Sequence, residues 1–259
     1  MFQVKAKKNF GQHFLKDHEI AKRIASTLDG YPTLPVMEVG PGTGMLTQYL
    51  IQKNKDLTVV EIDYESIAYL KEHFPELKDR ILQEDFLKLD LKKLYKGDFC
   101  IIGNYPYNIL SQIFFKVLEY RENIPSMSGM IQKEVAERMV ASPGKKTYGI
   151  LSVLLQVWYD IEYLFTVNEQ AFIPPPKVKS AVVRLTRNNR VKLNCDEKLF
   201  KTVVKTSFNQ RRKMLRNSIK SLLKEDSSLP EDPILTKRPE QLSIEQFEQL
   251  TNLLEPLVN

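Results

Sequence analysis

Short apolar runs alternate with amphipathic stretches along the first two-thirds of the chain. Four runs have the length and composition of buried β-strands: Pro35–Val39, Leu57–Ile62, Phe99–Ile102 and Met127–Ile131. Stretches with helical periodicity lie between most of them. Strands that alternate with helices in this way are typical of a mainly parallel sheet. The pattern therefore predicts a doubly wound α/β domain.

The pattern of the middle of the chain predicts two more helices and one late strand. Helical periodicity covers Lys133–Val140 and Tyr148–Trp158, and the β-rich run Ser180–Thr186 follows the prolines Pro174–Pro176. Because neither a helix nor a central strand accommodates three prolines, we expect a turn there. The late strand is then expected to pair at the edge of the sheet.

The pattern becomes purely helical after residue 190. Helices are predicted over Lys198–Phe208, Arg211–Leu223 and Ile244–Leu254, and Ser243 with Gln246 forms a capping box before the last one. We therefore predict an α/β domain over residues 1–189, which begins with a basic arm over 1–16. A small all-helical domain is predicted over residues 190–259.

Composition excludes several classes of protein. In 259 residues no apolar stretch approaches the roughly 20 residues of a membrane span, and the polar start lacks the apolar centre of a signal peptide. Two cysteines and three scattered histidines provide neither a disulfide framework nor the spacing of a metal site. We expect a cytoplasmic protein that binds neither metal nor membrane.

Basic residues are concentrated late in the chain. The net charge of +6 is moderate, but residues 170–195 and 198–224 contain no Asp or Glu. A solvated face would give the same pattern, whereas long acid-free segments favour contacts with phosphates. The candidate RNA-binding residues are Lys177, Lys179, Arg211, Arg212, Lys213 and Arg216.

The segment Asn104–Tyr107 directly follows an apolar strand and predicts a pocket for a planar amine. The side-chain oxygen of Asn104 and the carbonyl of Tyr105 are two acceptors that an exocyclic NH2 group could satisfy. Pro106 restricts the backbone, and the ring of Tyr107 offers a face for base stacking. An ordinary turn above a packed tyrosine would have the same sequence, so the surrounding motifs must decide.

A glycine-rich loop follows the first predicted strand. Gly40, Gly42 and Gly44 lie where the chain turns into a helix, and such a loop can approach a ligand closely. A dinucleotide fingerprint requires a small residue at position 45, which is Met45 here. The spacing therefore argues against NAD.

Two carboxylates follow later strands. Glu61 ends the second strand, where it could accept both hydroxyls of a ribose. Asp85 follows the short run Arg80–Glu84, which would be the third strand in chain order, and could accept an adenine amine. Each alone is as readily a helix N-cap or a surface acid. In this order with the glycine loop and Asn104, they predict a nucleoside site that tolerates a cationic sulfonium.

The chain resembles the KsgA family of small-subunit ribosomal RNA adenine dimethyltransferases, which is related to the Erm resistance methyltransferases. The resemblance covers nearly the whole length and depends on Asn9–Leu15, Glu38–Gly44, Val60–Asp63, Gln83–Asp85, Gly103–Asn108, Gln132–Arg138, Phe172–Val178 and Phe208–Lys213. It implies a Rossmann-like class I methyltransferase fold with a mostly parallel seven-stranded sheet.

The resemblance also implies roles for individual residues. S-adenosylmethionine would contact His13, Leu15, Gly40, Gly42, Gly44, Glu61, Asp85 and Asn104. Tyr107 and Phe172 would sandwich the target adenine beside Asn104, Tyr105 and Pro106. Two positions depart from the commonest family pattern, which has Leu or Ile in place of Tyr105 and often Asn in place of His13.

The activity that the resemblance implies is dimethylation of two adjacent adenines in the 3′-terminal hairpin loop of small-subunit (16S) rRNA. The substrate would be an immature 30S subunit and the enzyme a monomer. Two alternatives stay open: an Erm-like enzyme acting on large-subunit rRNA, and a binding factor such as an assembly checkpoint. The segment Phe208–Lys213 favours the small subunit.

Overall fold

The computed structural model describes residues 4–7, 11–53, 56–225 and 227–258. Parts of the predicted arm, including Asn9 and Phe10 of the first family motif, lie outside the described residues. The strands are β1 Phe14–Leu15, β2 Val36–Val39, β3 Leu57–Glu61, β4 Ile81–Gln83, β5 Cys100–Asn104, β6 Ser126–Gln132, β7 Tyr159–Val167, β8 Phe172–Ile173 and β9 Ser180–Arg187.

The α-helices are α1 His18–Ala25, α2 Thr47–Lys53, α3 Tyr64–His73, α4 Leu91–Leu94, α5 Leu110–Glu119, α6 Lys133–Met139, α7 Ile150–Gln156, α8 Glu197–Asn209, α9 Leu215–Ser218 and α10 Ile244–Leu254. Short 3-10 turns occur between them. Among the described residues, none of the helices is both long and apolar enough to cross a membrane.

Seven strands form the main sheet in the order β4-β3-β2-β5-β6-β9-β7. The pairs from β4 to β6 are parallel, and β9 runs antiparallel to β6. A separate pair joins β1 to β8, with Leu15 opposite Phe172. The predicted mostly parallel α/β fold is therefore confirmed. The late strand, β9, was expected at the edge of the sheet, but it lies between β6 and β7, and β7 is the edge strand.

The four strands predicted from apolar runs are all present, and each agrees with its prediction within two residues at either end. The strand β7 was not predicted, although its first five residues, Tyr159–Tyr163, alternate between apolar and polar side chains. The predicted continuous helix over Arg211–Leu223 is wrong. The backbone of Met214 is extended, and the N–H of Leu215 bonds to the carbonyl of Lys237 instead of continuing a helix.

Contacts divide the chain into two compact units. The first comprises residues 1–136 and 160–187, and the second comprises 137–159 and 188–259. This division differs from the predicted domains mainly in the segment 137–159, which groups with the helical unit because α7 packs against α8. Periodicity alone did not identify this grouping, since it does not identify the partner of a helix.

Each unit has its own apolar core. In the first, Ile24, Leu50 and Val59 belong to one cluster of buried side chains that packs helices against the sheet. In the second, the rings of Phe200 and Phe247 meet edge to face. The second unit also contains a partly buried ion pair, in which Arg190 contacts the buried Glu248 at 2.9 Å.

Candidate active site

Four loops meet at the carboxyl ends of β2, β3, β4 and β5. The strand order reverses at β2, where β3 lies on one side and β5 on the other, and such a switch point is where open α/β sheets bind ligands. A cavity of about 220 Å³ lies there within the first unit. Its wall includes Gly40, Glu61, Asp85, Asn104 and Tyr107.

The glycine loop requires glycine for conformation and for packing. Gly40 and Gly42 have φ angles of 68° and 56°, which disfavour other residues, and both line the cavity. The ring of Phe14 lies so close to Gly42 that a Cβ there would be 2.8 Å from it. Gly44 was predicted to contact the cofactor, but it is absent from the cavity wall because it faces the ring of Phe74.

Glu61 is buried and holds the loop backbone. Its carboxylate accepts hydrogen bonds from the N–H groups of Gly42, Ile62 and Asp63, at 3.1, 2.8 and 2.9 Å. Burial raises its pKa, and these three bonds oppose the rise. A carboxylate has about four acceptor positions, so one remains for a ribose hydroxyl. Accepting both hydroxyls, as the sequence suggested, would require giving up one backbone bond.

Glu38 is a second buried carboxyl group at the site, and the sequence analysis did not single it out. It lies in β2, one residue before the end of that strand, lines the cavity and accepts a 2.7 Å hydrogen bond from the hydroxyl of Thr47. Burial raises the pKa of Glu38 to about 8. The signal available in the sequence was its place as a single acidic residue in an otherwise apolar strand, two residues before Gly40.

Asp85 lies where the third loop leaves the sheet. Its side chain caps the 3-10 turn Phe86–Lys88 by accepting a 3.0 Å hydrogen bond from the N–H of Leu87. Asp85, Phe86 and Leu87 all line the cavity. A carboxylate with one bond of this kind keeps acceptor positions for an amine.

Asn104 and Tyr107 are both held by residues distant in sequence. The side-chain nitrogen of Asn104 donates to the carbonyl of His13 at 2.9 Å, and the hydroxyl of Tyr107 lies 2.5 Å from that of Ser180. Burial raises the pKa of Tyr107. The amide of Asn104 thus has its donor engaged, which leaves its oxygen as the acceptor.

Tyr105 departs from the commonest family pattern, and its ring is fully buried although the residue lines the cavity. Its hydroxyl donates to the carbonyl of Ser128 at 2.7 Å, and its N–H donates to that of Met130. The ring packs over two glycines, Gly103 and Gly129, whose missing side chains make room for it. The side chain of Tyr105, which is larger than the Leu or Ile of the commonest family pattern, is therefore accommodated beneath the cavity.

The arm covers one side of the cavity in residues 11–15. Lys7 and Gln12 both bind the buried carboxylate of Asp63, at 2.5 and 3.2 Å. Burial raises the pKa of Asp63, but hydrogen bonds from Lys7, Gln12 and the N–H of Glu65, together with the charge of Lys7, lower it below its ordinary value. His13 bonds through Nδ1 to the carbonyl of Pro174, and its ring lies 5.7 Å from that of Tyr107. His13 and Leu15, both predicted to contact the cofactor, line the cavity.

Phe172 was predicted to stack on the target base, but the structure places it elsewhere. Its ring is only 1% exposed, belongs to the apolar core and is absent from the cavity wall. The pairing of β1 with β8 sets Leu15 of the arm opposite it. In this arrangement Tyr107 is the aromatic residue of the predicted pair that faces the cavity.

The predicted RNA-binding residues differ in their surroundings. Lys177 and Lys179 in the first unit are exposed, as are Arg212, Lys213 and Arg216 in the second. Arg211 is instead held within the second unit. It donates to the carbonyl of Lys145 at 3.2 Å, lies 4.0 Å from Glu240, and its guanidinium carbon lies 6.0 Å from the ring centre of Phe208.

Among the described residues there is no group of three or more side chains placed to bind a metal ion.

Comparisons with known proteins find relatives over nearly the whole chain. The model of the ribosomal RNA adenine dimethylase family matches residues 3–255. Ribosomal RNA small subunit methyltransferase A of Parabacteroides distasonis is 68% identical over 248 residues, 96% of this chain and 93% of that protein. The protein of the same name from Phocaeicola vulgatus is 63% identical and covers 97% of this chain and 90% of its own.

Two solved structures have the same fold. A dimethyladenosine transferase from Plasmodium falciparum aligns with a TM-score of 0.75 at 24% identity, covering 94% of this chain and 97% of its own. The 23S rRNA methyltransferase ErmE aligns with a TM-score of 0.66 at 24% identity, covering 92% of this chain and 99% of its own.

Proposed function

This chain belongs to the ribosomal RNA adenine dimethylase family, and we propose that it dimethylates the N6 amines of two adjacent adenines in the 3′-terminal hairpin loop of 16S rRNA. It is an enzyme, an rRNA adenine methyltransferase. The relatives named for the small ribosomal subunit support that target. The immature 30S subunit in the cytoplasm is the proposed substrate particle, and the enzyme acts as a monomer.

The cavity fits S-adenosylmethionine as the methyl donor. Gly40 and Gly42 leave the backbone open to a close ligand, Glu61 keeps an acceptor position for a ribose hydroxyl, and Asp85 keeps one for the adenine amine. The bound donor would supply a methyl group carried on a positively charged sulfur. The carboxylates of the wall are compatible with that positive charge.

The orientation of Asn104 carries the proposal. Its nitrogen is bound by the carbonyl of His13, so its oxygen is left to accept a hydrogen bond from the target amine. The carbonyl of Tyr105 provides a second acceptor, and the ring of Tyr107 provides a stacking face. Two acceptors on the amine hydrogens localise the nitrogen lone pair towards the methyl group. No strong base is required, because the nitrogen becomes acidic once methylated.

The helical unit would bind RNA through its exposed cations. Arg212, Lys213 and Arg216 are exposed and would contact phosphates, which provide affinity and carry little sequence information. Selectivity would then come from the shape of the RNA and its particle.

Transfer of a tritiated methyl group tests this function. Immature small subunits, mature small subunits and large-subunit rRNA are each incubated with the enzyme and labelled donor, and the nucleosides are separated after digestion. We expect dimethyladenosine from the immature small subunit. Label in large-subunit rRNA alone would support the Erm-like alternative, and RNA binding without label would support a binding factor. Asn104→Ala should abolish transfer while RNA affinity stays within about two-fold of wild type.

A further inference from the structure

Lys116 is a buried cation in α5 for which the proposed chemistry has no role. Its side chain is 8% exposed. The ammonium donates hydrogen bonds to two backbone carbonyls, those of Leu89 at 2.5 Å and Leu87 at 3.1 Å. Burying an ammonium is costly unless it is paired and hydrogen-bonded. These two hydrogen bonds therefore stabilise the buried charge of Lys116.

The rings of Phe86 and Tyr120 complete the surroundings of this ammonium. Their centroids lie 5.7 and 5.3 Å from Nζ, within the range of a cation–π interaction. Burial lowers the pKa of Lys116, whereas the carboxylates of Glu119, Asp85 and Asp90 act in the opposite direction. Rings, carbonyls and carboxylates thus all favour the charged form of the side chain.

The carbonyls that Lys116 binds belong to the segment that begins with Asp85. Asp85 caps the turn Phe86–Lys88 through the N–H of Leu87, and Lys116 holds the carbonyl of the same Leu87. Asp85 and Leu87 both line the cavity. A displacement of this turn would therefore move the carboxylate of Asp85 relative to a ligand.

We propose that Lys116 is a positioning residue, which fixes the turn after β4 so that Asp85 accepts a hydrogen bond from the adenine amine of the cofactor. This rests on the proposed function, in which Asp85 reads that amine. The helix that carries Lys116 starts at Leu110, shortly after Asn104–Tyr107. One helix therefore connects the transfer motif to the recognition of the cofactor's adenine.

A pair of nucleosides that differ only at this amine tests the inference. S-adenosylhomocysteine carries the amine, and S-inosylhomocysteine carries a carbonyl oxygen in its place, which would face the Asp85 carboxylate. Calorimetry measures the affinity of wild type and Lys116→Met for each. We expect wild type to bind the adenosine compound at least about 10-fold more tightly, which corresponds to about 1.4 kcal/mol of binding free energy. In Lys116→Met this preference should fall by about five-fold or more.

Two further variants distinguish positioning from general support of the fold. Leu118→Ala empties a buried position on the same helix, two residues away and on a different face. It should lower the melting temperature but keep the wild-type preference. Asp85→Asn should lose the preference, and adding Lys116→Met to it should change the ratio no further.

The possible failures can be told apart. If Lys116→Met lowered the affinity for both compounds equally, or only lowered the melting temperature, the inference would be overturned. Equal binding of both compounds by wild type would overturn it as well. The calorimetric experiment contains no RNA. Absence of rRNA methylation by wild type would therefore contradict the proposed function without changing the calorimetric result.

Discussion

The side-chain nitrogen of Asn104 donates a hydrogen bond of 2.9 Å to the backbone carbonyl of His13, 91 residues earlier in the chain. Because an amide has a donor end and an acceptor end, this bond decides which end is available to a substrate. The arm would therefore take part in the proposed transfer site through its backbone. This also explains how His13 can differ from the commoner Asn, since the carbonyl is the same in both.

Asn104→Asp tests whether the hydrogen bond to His13 orients the side chain of Asn104. The new carboxylate could still accept from the target amine, but it has no N–H to offer and would repel the carbonyl of His13. We expect the single-turnover rate of methyl transfer to fall by about 100-fold, comparable to the loss of one catalytic hydrogen-bonding group. RNA affinity, measured in parallel, should not change. A rate near that of wild type would mean that the bond to His13 does not orient the side chain.

Lys7→Met tests whether the arm is held at Asp63. Lys7 is partly exposed, so removing its ion pairs with Asp63 and Glu65 should weaken the attachment of the arm by about five-fold at most. Amide hydrogen exchange over residues 11–15 should become faster, and affinity for S-adenosylmethionine should fall by up to the same factor. Lys5→Met, an exposed lysine of the same arm, is the control. Equal exchange in both variants would contradict the proposed anchor.

Glu38→Gln should change how stability depends on pH. Burial raises the pKa of Glu38 to about 8 from an ordinary value near 4.5. Between these values the folded protein keeps a proton that the unfolded chain has released, so the free energy of unfolding falls as pH rises. Gln does not titrate and should remove this loss, which is on the order of a few kcal/mol by pH 8.

Urea denaturation of the cofactor-free protein from pH 5 to 9 measures this effect. The stability of wild type should decline relative to Glu38→Gln up to about pH 8 and then run parallel to it. The exposed Glu76→Gln serves as the control. Parallel curves for wild type and Glu38→Gln throughout this range would show that Glu38 is ionised when folded.

Neighbouring arginines should behave differently in RNA binding. Arg212 is exposed, so Arg212→Gln should weaken RNA affinity and reduce the slope of log affinity against log salt by about one. Arg211→Gln should act mainly by destabilising the helical unit, because Arg211 contacts Lys145, Phe208 and Glu240. Filter binding at several salt concentrations and thermal unfolding of both variants separate the two effects. A loss of one unit of salt slope in Arg211→Gln alone would reverse this assignment.

The sequence alone determined the order and type of most elements and the positions of the glycine loop, Glu61, Asp85 and Asn104. These follow from local patterns: alternation of apolar residues, and loops that come directly after strands. The same locality explains the wrong helix over Arg211–Leu223. Its periodicity is real, but a hydrogen bond from Leu215 to the distant Lys237 replaces the helical one.

Only the tertiary structure decided which atoms and side chains of these residues are available to a ligand. Phe172 lies in the core, Gly44 faces Phe74, Glu61 has three of its acceptor positions taken, and Lys116 reaches the turn after Asp85. Most of these outcomes depend on a partner distant in the chain, although Glu61 also accepts from the adjacent N–H groups of Ile62 and Asp63. Local pattern cannot specify such partners, because burial and hydrogen bonding are settled only when the strands and helices pack together.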